Sequence, residues 1–234
     1  MVDLGSTEFH LAIPSLPEEK LRQLSTRLFD SWEHFADDAL SLPDYSLFLQ
    51  VEEGSVRGLA TVGAVLATIY FGIGNYGDFI SGLKTINEQL TATSAYLRKH
   101  APSVFSCPDS KVTSTRQAGT LAGLQRLFVK VQSGALTPDE AMDRAIVLLG
   151  EEAESVPGFL EELARSFKDC PRFHQQQDLP SFEQDEDGLM TTQRQPKAPK
   201  STTTQRDLAP PLQLRVEVWR ESKRKRKQTR VIKL

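Results

Sequence analysis

"VRGLATVGAVLATIYFGIGNYGDF", from Val56 to Phe79, is the stretch whose reading decides the fold. Gly72, Gly74 and Gly77 form a G-x-G-x-x-G pattern behind the apolar run "AVLATIY". As a strand followed by a phosphate-cradling turn, it would open a dinucleotide-binding unit and make the chain a nucleotide-binding enzyme. That unit also needs an acidic residue about twenty positions on, at the end of a second strand, to hold the ribose hydroxyls. The chain reads "YLRKH" at Tyr96–His100 instead, and no further β-α repeats follow.

A helical reading accounts for more of the same residues. Leu59, Val62, Leu66, Ile69, Ile73, Tyr76, Ile80 and Leu83 recur every three or four positions without a break across the glycines. Beside them Ala60, Gly63, Ala67, Gly74 and Gly77 form a row of small side chains, the kind that lets two helix backbones approach closely. The spacing therefore predicts one long Gly-rich central helix with a packing interface. No charged residue occurs from Gly58 to Gly77. That length just suffices to cross a bilayer, although Thr61, Thr68, Asn75 and the glycines dilute it. A bilayer and the core of a helical bundle are the two homes open to such a helix.

Working outward, Ser15 with Glu18 reads as a capping box, with Pro17 in the first turn. Leu21, Leu24, Leu28, Trp32 and Phe35 then mark one face of a helix over 15–40. Tyr45, Leu47, Leu49 and Val51 alternate with polar residues as a half-buried strand, and "EEGS" supplies a turn at Gly54. With the short strand "EFHLAI" and the long helix, these make up an N-terminal region over 1–105. A helical module is expected over 111–170, with Gly134 ending its first helix and "TPDE" at Thr137–Glu140 capping its second. Residues 171–211, rich in Gln, Asp, Pro, Thr and Ser, read as a flexible linker. Residues 212–234 read as a basic β-hairpin able to pair with the N-terminal strands. The expected class is thus mostly α with a small antiparallel β element.

The formal charge of −3 hides an asymmetry, because Leu214–Leu234 holds nine basic residues against two acidic ones. Lys223, Arg224, Lys225, Arg226 and Lys227 form a patch that could neutralise nucleic-acid phosphates, attract anionic lipid, or dock on the acidic body. No aromatic residue interleaves it to stack on bases. In "WEHFADD", Trp32–Asp38, the pairs Glu33 with Asp37 and His34 with Asp38 share a face and read as a solvated charged surface. Cys170 and His174 lack a second ligand pair for zinc, Cys107 and His100 being the only distant candidates. No nucleophile-elbow pattern occurs. No catalytic residue, metal site or cofactor is nominated. Two distant cysteines and no apolar leader after the start predict a reducing, cytoplasmic setting, with membrane association through the central helix as an option. The expectation is a non-catalytic accessory or effector protein that acts by packing against a protein partner, its own copy or a membrane. A nucleic-acid-binding adaptor using the C-terminal basic loop and a nucleotide-binding enzyme using Gly72, Gly74 and Gly77 are the alternatives.

Overall fold

In the computed structural model, Val56–Ala64 is a strand and the long helix does not exist. The structure describes residues 1–76, 78–108, 111–172 and 214–234. In chain order these form β1 (Val2–Leu11), α1 (Glu18–Ala39), β2 (Ser46–Glu52), β3 (Val56–Ala64), α2 (Leu66–Gly74) and α3 (Phe79–Val104). There follow β4 (Val112–Ala118), α4 (Thr120–Gln132), α5 (Pro138–Leu149), a 3-10 turn at Gly150–Ser155, α6 (Phe159–Lys168), β5 (Leu214–Arg220) and β6 (Gln228–Lys233). All of them belong to one unit, Met1–Phe173 with Leu212–Leu234; the other unit, His174–Pro211, lies outside the described residues, as does nearly all of the stretch read as a linker.

The strands make one sheet in the order β4-β1-β3-β2-β5-β6, with every neighbouring pair antiparallel. A six-stranded sheet beside six α-helices is an α+β fold, which corrects the expected mostly α class. The misreading has a physical source. Along Val56–Ala64 both faces carry small or apolar residues apart from Arg57 near its start, so the run satisfies a period of 3.6 as well as a period of 2. Pairing decides for the strand, because β3 exchanges hydrogen bonds with β1 on one side and β2 on the other. Gly54, at φ +87°, and Ser55, at φ 65°, turn β2 into β3.

One face of the sheet is the core face. Leu47, Leu49 and Val51 of β2 stand level with Val62, Ala60 and Gly58 of β3, and Val216 and Val218 of β5 complete the row. Each Leu or Val side chain of this row contributes about 1.5–3 kcal/mol when fully buried. Gly58 is required here: a Cβ on it would lie 1.9 Å from Cζ of Phe9, whose ring occupies that space from the neighbouring strand. Helix α1 lays Leu21, Leu28, Phe29, Trp32 and Ala36 in the core, a stripe at helical spacing, and packs beside α3 through stacked Phe35 and Tyr96 rings 4.2 Å apart. Its N-terminus departs from expectation. Pro17 is the cap residue with no side-chain capping bond, and Ser15 Oγ donates to Glu53 in the β2-β3 turn instead. At α5 the reciprocal capping box is present, with Thr137 Oγ1 accepting from Glu140 N at 3.2 Å and Glu140 Oε2 accepting from Thr137 N at 2.9 Å.

The opposite face carries no buried row. Cross-strand neighbours there include Glu8 with Leu59 and Leu59 with Gln50, then His10 with Arg57 and Arg57 with Glu52. These side chains are exposed or only partly covered.

Candidate functional site

The expected interface residues do not share a helix. Ala60 points into the core from β3, and Gly63 lies buried at the far end of the same strand against Ser46 and Met1. Ala67 and Gly74 lie on the outer side of α2, and Gly77 falls outside the described residues. Gly72 sits inside α2, so no glycine-rich turn joins β3 to a helix N-terminus, and the cradle expected of Gly72, Gly74 and Gly77 is not formed there. A close backbone approach does occur elsewhere: a Cβ on Gly82 of α3 would lie 2.5 Å from the carbonyl oxygen of Ile73.

The basic hairpin is docked rather than free. Arg220, 5% exposed at the end of β5, reaches Asp37 of α1 at 2.8 and 3.1 Å and Glu33 at 2.8 Å. The Arg220 guanidinium also lies 5.4 Å over the Tyr45 ring, and the Tyr45 hydroxyl donates to Asp37 at 2.5 Å. Glu33 and Asp37, expected on a solvated surface, thus converge on one buried cation, whereas His34 and Asp38 remain exposed 3.8 Å apart. Burial pushes the Tyr45 hydroxyl far up, aided by the neighbouring Asp37 carboxylate. Burial also tends to raise Asp37, but hydrogen bonds from Arg220 and Tyr45 outweigh it and hold its carboxyl below the ordinary value. For Glu33 burial prevails over the attraction of Arg220, and its carboxyl is raised.

The loop beyond Arg220 continues the docking. Asp44 accepts from Lys223 N at 2.7 Å and from Ser222 Oγ at 2.9 Å. Lys225 pairs with Glu221 at 2.6 Å, and Lys227 pairs with Asp30 of α1. Arg224 and Arg226 are exposed and make no ion pair among the described residues.

Apolar surface is exposed at another place. Met1, Val65, Phe71, Ile146, Val147 and Leu148 are six of the eight exposed large apolar residues among those described. They lie before β1, at the β3-α2 junction, on α2 and at the end of α5, next to elements that border the 3-10 turn. Val2 stands opposite Ala64, which brings Met1 beside Val65. The Met1 amino group pairs with Glu152 in the 3-10 turn, and α2 packs against that turn. Ile146, Val147 and Leu148 form the last turn of α5, which runs directly into it. On α2, Phe71 is 66% exposed between Ala67 and Gly74, both also exposed, while Tyr70 turns inward to donate to Glu162 and meet the Phe159 ring edge-on. A Cβ on Gly74 would meet nothing within 4 Å. Val147 is 83% exposed. The α5 residues carried a signal that sequence reasoning missed: "AIVLL" is apolar on every side, so a single packed face cannot bury it.

Among the described residues no group of His, Cys, Asp and Glu could hold a metal ion, and no helix is long and apolar enough to cross a membrane. Cys107 and Cys170 are both free and buried. No protein-family model, curated protein or solved structure matches the chain.

Proposed function

We propose that this chain is a non-catalytic association protein whose apolar end docks a second copy of itself, in a reducing, cytoplasmic setting. The observation that carries the reading is Phe71, held out on α2 between the small residues Ala67 and Gly74, in a helix with no charged residue. An exposed apolar side chain on its own needs no explanation, but Phe71 on α2 and the exposed run Ile146–Leu148 at the end of α5, on two elements that border one turn, support a contact surface. The exposed side of α2 carries no charge, so two copies can meet there without burying an unpaired one, which suits an isologous contact. Aromatic and long aliphatic side chains of this number can form the centre of an interface of about 800 Å² per partner. The small neighbours leave room for the partner backbone beside the Phe71 ring. This keeps the expectation of close packing but moves it from a continuous helix to α2 and the end of α5.

Sedimentation equilibrium over a range of protein concentrations tests the reading. The wild-type chain is expected to form a dimer, and Phe71→Glu and Val147→Glu to remain monomeric with unchanged circular dichroism. A wild-type monomer at every concentration overturns it. So does binding to phospholipid vesicles, in flotation, by a chain that stays monomeric, which would make a bilayer the occupant. The nucleic-acid alternative has less support, because Lys223, Lys225 and Lys227 already face carboxylates.

A further inference from the structure

The face of the sheet opposite the core holds a concavity of about 410 Å³ where β4, β1, β3 and β2 run side by side. That volume lies within the range of small-ligand sites. Arg57 lines it and stands in register between His10 on β1 and Glu52 on β2. His10 in turn stands opposite Thr113 on β4, and Glu8 opposite Thr115.

One oxygen of each of the two carboxylates in this concavity is engaged from within the chain. Glu52 Oε1 takes two contacts from Arg215, at 2.7 and 2.9 Å, and a third from Gln50 Nε2 at 3.0 Å. Glu8 Oε1 accepts from Gln117 Nε2 at 3.0 Å. The donors are not engaged. Among the described residues the Arg57 guanidinium has no ion pair, and the side chains of Arg57, His10, Thr113 and Thr115 make no hydrogen bond. Glu52 would be the natural partner of Arg57 across the strands, but Arg215 on its other side holds it. The walls therefore offer one cation without an ion pair and several donors, beside two carboxylates each held at one oxygen.

We infer that this concavity binds a small ligand through a carboxylate or phosphate group, held by the Arg57 guanidinium and assisted by His10 and the Thr113 and Thr115 hydroxyls. A guanidinium presents two parallel N–H donors that match two oxygens of either group. Leu59, beside Glu8 in the same concavity, is an apolar surface for the body of the ligand. The site is separate from the apolar end and stands without the association reading.

Amide chemical-shift titration of the full chain with inorganic phosphate, and separately with acetate, tests the assignment. Saturable shifts are expected at His10, Arg57 and Thr113 with at least one anion, and the anion with the lower dissociation constant identifies the group. Arg57→Gln should weaken that binding by about tenfold or more, the usual effect of losing a hydrogen bond to a charged group. Arg22→Gln, a surface change on α1, should leave it unaltered. No saturation with either anion overturns the inference, as does equal affinity in Arg57→Gln and the wild type.

Discussion

The C-terminal hairpin and the apolar end treat their side chains in opposite ways. "ESKRKRKQ" has the composition of a solvated loop, yet Lys223 and Lys227 reach carboxylates of α1 and Arg220 is almost wholly buried between Glu33, Asp37 and Tyr45. "LATIYFGIG" and "AIVLL" have the composition of core, yet Phe71 and Val147 face outward. The difference lies in partners. A guanidinium can be buried where two carboxylates and an aromatic ring meet it, whereas an apolar side chain is buried only where another surface covers it. Composition describes the side chain alone and says nothing about what stands opposite.

The largest effect should come from removing the buried cation. Arg220→Ala leaves Glu33 and Asp37 without their common partner and is expected to cost about 3–5 kcal/mol in urea unfolding. A loss below about 1 kcal/mol, the range of surface pairs, would place Arg220 in that weaker class.

Acid should loosen the same contact. The Asp37 carboxyl lies below its ordinary value in the folded chain, so the stability it contributes is complete above the unfolded value of about 3.9. That contribution disappears as the pH falls through the lower folded value. Glu33, raised by burial, has the opposite sign: its contribution is complete below its unfolded value of about 4.3 and is lost as the pH rises through the folded one. Thermal melts of wild type and Asp37→Asn across the acid range separate the two. The variant should show the shallower fall in melting temperature on acidification, and parallel curves would rule out Asp37 as the source.

A smaller change is expected at the helix cap. Thr137→Ala removes the hydroxyl that accepts from Glu140 N and should cost about 1 kcal/mol, measured by denaturant midpoint. The smallest effect on folding belongs to the apolar end. Val147→Glu should change stability by no more than about 0.5 kcal/mol, as for a surface position. A large loss there would mean that Val147 is covered within the monomer and would remove the contrast between the two regions.

Much of the local structure was legible in the residues. The stripe from Leu21 to Trp32 lies on α1, the alternation of Leu47, Leu49 and Val51 lies on β2, and Val216 and Val218 repeat it on β5. Each segment buries one face and wets the other, so its period is unambiguous. β4 offered no such signal. "VTSTRQA" is an edge strand with no face fully buried, and its place is set by its pairing with β1. The free Arg57 was equally hidden, because its isolation depends on Arg215, 158 positions away, holding Glu52.

By itself the sequence determined the amphipathic helices, the half-buried strands and the Thr137 cap, since these depend on neighbours within a few positions. Tertiary structure alone decided that Val56–Ala64 is a strand, that the basic loop is docked and that Phe71 is exposed. A run of small apolar residues satisfies helix and strand equally, and only hydrogen bonds to β1 and β2 choose between them.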